Sequence, residues 1–592
     1  MRHYFKFFLV ISLILLFACR SNKIDEPGIT IPELEEHIEF LASDELKGRL
    51  PGTEGDIQSA GYIRDALESW GLVPAVDNGL QSFEIVSSLE AGNSNKLLIN
   101  DKPVPPEKFM PLAFSESAEF EAMVAFAGYG FDIQSDTLNW NDYDNINVKD
   151  KWVMLLRADP EVDDPLSNFA KVSADRDKVM MAKDKGAGGV LMVSGKELDD
   201  RDEFESLAKG EYSTGIPVFR IKREIANLIL GENNVSIAEL EEKLNKTYAS
   251  QSFEMDCMIK GTAELIEKKV TTQNVLMTLP GNDSVLKDEY LIIGGHFDHL
   301  GMGGPGSSSR AVDTVAIHYG ADDNASGIAA MLEMAEKFAS SSDNARSIIF
   351  AGFAAEEMGL LGSKYLVDHM PVETDRINAM INLDMVGRLK ESKILQVGGV
   401  GTAQELKEII TQFTDSALIK LTLSEEGYGP SDHSSFYGKD IPVLFFSTGA
   451  HLDYHTPYDT PDKINYDGLV IISELVYEIS SELAGNNKKL AFMEAGPKTL
   501  TNRGMRSKGV TLGIMPDFAG NIKNGLRADF VTPGRPADLG GMKKGDIIVA
   551  INGQTINNIQ DYMFRLSKLE HGETIQVEVL RGDKKELLLI AL

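Results

Sequence analysis

Four stretches of the chain are largely apolar and end on residues that handle metals or protons. Tyr290–Gly295 leads into His296 and Asp298, Ser347–Phe353 into Glu356 and Glu357, Ile377–Leu383 into Asp384, and Val443–Ser447 into His455. Runs of this kind, without strict polar alternation, predict strands buried on both faces. Stretches of helical period lie among them: Ile328, Leu332, Ala335 and Phe338 share one face, as do Leu361, Tyr365 and Leu366. Gly320-Ala321-Asp322-Asp323-Asn324-Ala325-Ser326-Gly327 opens the first of these helices. The alternation is a βαβ pattern, so the fold class is α/β, with a mixed, largely parallel sheet flanked by helices. The carboxyl ends of such strands share one edge, which brings the four polar ends into one crevice.

Elsewhere the texture differs. After Thr30-Ile31-Pro32-Glu33, which reads as a capping box with Pro in the first turn, Leu34, Ile38 and Leu41 mark one helix. A turn-rich loop, residues 44–55, leads to a second helix through Ile63, Leu67 and Trp70, stopped by Gly71. From Glu119 the pattern becomes short strands and turns: Met123–Ala127, Trp152–Arg157, and Val190–Val193 after a helix that ends near Gly186. No His or Cys occurs between Glu119 and Gly231, so this stretch reads as an inserted accessory domain. A compact tail predicts strands at Val510–Met515, Leu526–Val531, Asp546–Asn552, Thr574–Leu580 and Glu586–Ala591, and helices at Ala537–Gly541 and Ile559–Leu566. The divisions that follow are 1–18 signal peptide, 19–28 tether, 29–118 first part of the catalytic domain, 119–250 insert, 251–490 catalytic domain, 491–508 linker and 509–592 tail domain.

Composition adds two points. With 90 acidic against 58 basic residues and a net charge of -32, the chain is a poor match for nucleic acid or an anionic membrane surface. Arg2, His3 and Lys6 precede the apolar run Phe7–Phe17, which closes on Leu16-Phe17-Ala18-Cys19. This is a secretory signal, too short for a comfortable membrane span. Its end resembles a bacterial lipoprotein signal, implying lipidation at Cys19 and a protein held at the cell envelope, periplasmic or surface-exposed, by its lipid alone. The other cysteine, Cys257, lies among apolar residues and reads as packing.

Amide hydrolysis near neutral pH needs an activated water and a Lewis acid, which two divalent ions roughly 3.5–4 Å apart supply. Such a pair needs one shared carboxylate and about two further protein ligands per ion, an inventory the strand ends offer. The segment resembles the co-catalytic zinc exopeptidases of clan MH, the group that includes zinc aminopeptidases, aminopeptidase Y and glutamate carboxypeptidase II. The likeness rests on Gly295-His296-Phe297-Asp298, Gly320–Asn324, Ala355–Gly359, Asn382–Met385, Tyr454–Thr460 and, upstream, Leu46-x-Gly48-Arg49-x-x-Gly52-Thr53. The insert resembles the β-rich protease-associated domain of larger members, through Gly128-Tyr129-Gly130, residues 147–151 and Lys185-Gly186-Ala187. The tail resembles a PDZ domain, through residues 534–537, 541–548 and 551–553.

The resemblance implies two zinc ions. His296 and Asp384 would hold the first, Glu357 and His455 the second, with Asp322 bridging and followed by a cis peptide to Asp323. Asp298 would orient His296, and Glu356 would be the general base as a hydroxide bridging the ions attacks the carbonyl. Tyr454 would donate to the oxyanion. His433 stands equally as a pocket wall or as a satisfied histidine, and so does His318; Arg310 and Arg388 have no assignment. The implied activity is that of an exopeptidase on peptide or protein substrates, an aminopeptidase first, with a carboxypeptidase or a silent peptide-binding protein as alternatives. A PDZ domain adds a peptide terminus as a strand, here along the strand beginning Gly525-Leu526-Arg527.

Overall fold

The computed structural model describes residues 28–496 and 510–592, apart from 135–137, 163, 165–166, 171, 206, 208–211, 305–306, 312, 342–343, 517–523, 533 and 583. The apolar run near the start, Cys19 and residues 497–509 lie outside the described residues. The chain packs as two units, Met1–Phe83 with Thr272–Leu500, and Glu84–Thr271 with Thr501–Leu592.

The first unit opens with α1 (Ile31–Leu41), which buries Leu34, Ile38 and Leu41, and α2 (Glu54–Ser69), which buries Ile63 and Leu67. The Thr30 hydroxyl donates to the Glu33 carboxylate at 2.5 Å rather than capping the backbone, so the expected capping box is not formed. The sheet contains β1 (Val73–Pro74), β2 (Leu80–Ala91), β3 (Leu265–Leu279), β4 (Tyr290–His296), β5 (Ser347–Phe353), β6 (Ile377–Leu383), β7 (Ile394–Gly398), β8 (Lys420–Leu423) and β9 (Val443–Ser447). Its order is β1-β3-β5-β4-β6-β9-β7-β8, with β2 paired to β3.

The four strands that carry the polar ends, β5, β4, β6 and β9, are adjacent and mutually parallel. Their ends therefore meet at one edge, as the alternation predicts. Gly295 permits this spacing: a Cβ there would lie 2.5 Å from the carbonyl oxygen of Leu383 on β6. The helices α3 (Gly327–Ser341), α4 (Leu361–Asp368) and α5 (Tyr466–Gly485) cover the sheet with apolar faces. No helix of the described residues is long and apolar enough to cross a membrane.

In the second unit an eight-stranded sheet includes Lys96–Ile99 and Phe109–Pro111 upstream of residue 119, and Phe253–Thr262 downstream of 250. The insert is therefore longer at both ends than local texture suggests, because Phe253–Thr262 pairs antiparallel with Glu119–Phe126 and closes its core. The tail forms a second sheet, β10 (Ile514–Pro516), β11 (Leu526–Val531), β12 (Ile547–Ile551), β13 (Thr574–Arg581) and β14 (Lys584–Ala591), in that order, with α6 (Ile559–Leu566). This corrects the expectation for Gly525, Leu526 and Arg527. Gly525 precedes the strand, and Leu526 and Arg527 pair with β12 while the rest of β11 pairs with β10, so β11 is an interior strand and the edge strands are β10 and β14.

Candidate metal centre

His296 ends β4 fully buried, with Nδ1 toward Asp298: 3.2 Å from its main-chain oxygen and 3.6 Å from Oδ1. Asp298 also accepts the main-chain N–H groups of Glu356 and Glu357, at 2.9 and 3.3 Å, so one carboxylate orients the histidine and the Glu pair after β5. The free side of the ring, Nε2, lies 3.2 Å from Asp323 Oδ1, 3.6 Å from Asp384 Oδ1 and 3.9 Å from Glu356 Oε2. Across the crevice, His455 Nε2 is 3.3 Å from Asp323 Oδ2 and 3.0 Å from Glu357 Oε2, while its Nδ1 meets the carbonyl of Ser308 at 3.1 Å. Asp323 thus divides its two oxygens between two donor groups. His296, Asp323 and Asp384 form the first; His299, Asp323 and Glu357 form the second, their ligand atoms within 4.8 Å of one another in each.

The shared carboxylate is therefore Asp323, not Asp322. Asp322 turns away: its Oδ1 accepts from the Ser326 hydroxyl at 3.0 Å and the Gly387 N–H at 2.7 Å, and its Oδ2 faces His451 Nε2 at 3.3 Å. The cis peptide also falls one bond later than expected, between Asp323 and Asn324. Asp459 fixes the pair by accepting both of their main-chain N–H groups, at 2.9 and 3.1 Å. Asn324 fastens the next residue to β6, donating to the Leu383 carbonyl at 2.9 Å.

The electrostatics follow from burying many carboxylates together. Burial, with Glu357, Asp432 and Asp384 nearby, pushes Glu356 well above the usual carboxylate range, although His296 opposes the rise. Burial alone would depress His296, but Glu356, Asp384, Asp298 and Asp323 outweigh it and hold the ring well above its ordinary value. His455 is lifted to about 10, its bonds to Asp323 and Glu357 overcoming burial. Asp432, fully buried behind the centre, rises to about 7 chiefly through burial. The Tyr454 ring stacks on His455 at 3.8 Å between centroids, and burial with the nearby carboxylates keeps its hydroxyl protonated.

His433 does not join this group among the described contacts. It is buried, stacked on Phe445 at 4.5 Å, and held neutral by burial at about 3. His318 is satisfied, with Nε2 on the Ser309 hydroxyl at 2.8 Å and Nδ1 on the Ala316 carbonyl at 3.0 Å. Arg388 is committed to Asp453 and the Lys463 carbonyl, and Arg310 donates its main-chain N–H to the His455 carbonyl at 2.9 Å. Arg49, fully buried, donates to the carbonyls of Leu41, Phe297, Tyr319 and Gly320, tying the loop after α1 to the segments that flank His296 and Asp323. Asp323, His299, His451, Asp432 and Asp459 are the participants that the chain pattern left unassigned; only the spacing His296-x-Asp298-His299 could have drawn attention to one of them.

Two segments of the chain are similar to known proteins. Residues 274–480 match the model of peptidase family M28, and residues 512–592 match that of the PDZ domain. A probable leucine aminopeptidase of Arthroderma otae is 28% identical over 233 residues, 37% of this chain and 59% of its own length. The aminopeptidase YwaD of Bacillus subtilis is 33% identical over 208 residues, 33% of this chain and 43% of its own. The chain thus spans about three fifths or less of these curated relatives. Among solved structures, a zinc aminopeptidase from Bacillus subtilis is 22% identical with a TM-score of 0.46, covering 79% of this chain and 99% of that one. Residues 274–480 thus resemble a domain of peptidase family M28, and residues 512–592 of the same chain resemble a PDZ domain.

Proposed function

We propose that the protein is a two-zinc exopeptidase acting as an aminopeptidase. The observation that carries this reading is Asp323, with one oxygen 3.2 Å from His296 Nε2 and the other 3.3 Å from His455 Nε2. Both imidazole nitrogens are buried without a hydrogen bond and face carboxylates, a donor set that fits a pair of divalent cations. His296, Asp323 and Asp384 would hold one zinc ion, and Asp323, Glu357 and His455 the other; bound there, the ions would supply a Lewis acid and an acidified water.

The chain's own residues account for the rest. Glu356, made more basic by its surroundings, takes a proton from the attacking water and returns it to the leaving amine. Tyr454 keeps its proton and can donate to the carbonyl oxygen as charge develops there. The walls are acidic, and the nearby cations Arg49 and Arg388 are spent on carbonyls and Asp453, so a substrate's α-ammonium is favoured over an α-carboxylate.

The test is hydrolysis of amino-acid amides and peptides by protein stripped with chelator and reloaded with zinc. Glu356→Gln should retain both ions and lose kcat by on the order of 10²–10⁴-fold; full turnover in that variant would overturn the mechanism. Acetylation of the peptide N-terminus should abolish cleavage, whereas cleavage that instead requires a free C-terminus would favour the carboxypeptidase reading. Around this centre we read the insert as a protease-associated domain and the PDZ domain as taking a peptide terminus along β10. The motif ending at Cys19 supports lipid anchoring at the cell envelope, and Cys19→Ser should then release the protein from the membrane fraction.

A further inference from the structure

We infer that His299, although grouped with Asp323 and Glu357, is a positioning residue and not a ligand: its Nδ1–H donates to Glu357 Oε1 and leaves Oε2 alone facing His455. The inference rests on the two-ion reading and assigns to that site a residue outside its ligand set.

The four residues after Gly295 act as one fixture. Asp298 holds the main chain of Glu356 and Glu357, and His299, next in sequence, holds the Glu357 side chain, with Nδ1 2.8 Å from Oε1. The two oxygens of Glu357 are thereby divided: Oε1 goes to His299, while Oε2 goes to His455 Nε2 at 3.0 Å. A carboxylate free to rotate can ligate with one oxygen or with both, and a hydrogen bond to one oxygen removes that choice. Outer partners of this kind orient ligands and tune the affinity of a metal site.

Two observations make His299 a donor rather than a further ligand. Its Nδ1 is 3.8 Å from Asp323 Oδ2, against 3.3 Å for His455 Nε2, so it stands off the shared carboxylate. The rings of His296 and His455 each anchor their far nitrogen on a carbonyl, Asp298 and Ser308 respectively, as ligating imidazoles normally do. The far nitrogen of His299, Nε2, is buried without a hydrogen-bond partner. The tautomer that avoids an orphaned buried N–H places the proton on Nδ1, where Glu357 accepts it. The residue is held in place: its main-chain N–H donates to the Arg49 carbonyl at 3.3 Å, and a Cβ on Gly320 would lie 2.6 Å from the ring.

The experiment compares His299→Leu, which removes the donor, with His299→Asn, which keeps an N–H at about the position of Nδ1. Ion affinities are read by competition with a chromophoric chelator for zinc, and the environment of the ions by the visible absorption of the cobalt-loaded protein. The Leu variant should hold one ion as wild type does and the other roughly 10–100-fold more weakly, with an altered cobalt spectrum. The Asn variant should restore most of both. If the Leu variant fails to fold, Asn is compared with His299→Ala, which also lacks the donor, and the same loss is expected in Ala. Wild-type affinities and spectrum in the Leu or Ala variant would overturn this role and leave the two-ion reading intact, as would an Asn variant as impaired as the variant without the donor. Wild-type protein that binds fewer than two ions would overturn both.

Discussion

The strand-end centre and the second unit both bury charge, and they do so in opposite ways. Among the described residues of the second unit, buried cations have partners: Arg176 meets Asp561 at 2.7 Å, Arg565 grips Asp184, and Lys178 donates to the Leu156 and Ala158 carbonyls beneath the rings of Tyr129 and Phe131. At the centre, Asp323, Glu356, Glu357, Asp384 and Asp432 crowd a few imidazoles. Burying charge is costly unless it is paired. A matched arrangement repays that cost within the fold and is structural. A crowd of carboxylates is strained by its own repulsion, and cations relieve that strain, which marks a centre selected for chemistry rather than stability.

The largest effect that could break this contrast is at the adjacent acids. Asp323→Asn should lose bound metal and bring turnover to background, a greater loss than the roughly 10–100-fold typical of an outer partner. Asp322→Asn should keep two ions, measured by elemental analysis of the dialysed protein; equal metal loss in the two would erase the distinction between them. Next in size is the second unit. Arg176→Met strands Asp561 in a buried setting and should cost about 3 kcal/mol in chemical denaturation with peptidase turnover unchanged. Removing the ions with chelator should lower the melting transition of the first unit and spare the second. At 100 times Kd, each bound ion is worth about 2.7 kcal/mol, so a single shift common to both transitions would count against separate units.

The smallest effect is one of pH. Burial lowers His433 to about 3, below its ordinary value of 6.5, so the unfolded chain binds a proton that the folded chain refuses between those values. Stability from this group is complete above pH 6.5 and is lost as pH falls toward 3, with a slope of at most about 1.4 kcal/mol per pH unit. His433→Leu should flatten acid unfolding in that window, and an unchanged slope would show that the ring is not held neutral.

Much of this was legible from pattern. Strands buried on both faces leave long apolar runs, and parallel strands force their ends together, so His296, Glu357, Asp384 and His455 could be grouped without coordinates. Asp322 and Asp323 could not be told apart. They are the same residue type one position apart, and which one faces the crevice is set by the backbone of the turn and by Asp459, far along the chain. The open edge of the PDZ domain was misplaced for a related reason. Strand composition reports burial and length, whereas order in a sheet is a non-local property, and Leu526–Val531 proved to be interior. His299 was passed over because a histidine beside an assigned pair has no periodic signature of its own.

Arg49 has a consequence for how the molecule is made. Its guanidinium joins Leu41 to Phe297, Tyr319 and Gly320, yet the whole of residues 84–271 is synthesised between the two sides of that contact. During translation the insert can pair its own strands first, while α1 and α2 wait as exposed amphipathic helices for partners not yet made. The contact therefore closes only once Gly320 has been made, and a chain halted before Tyr319 leaves Arg49 without half of its carbonyls.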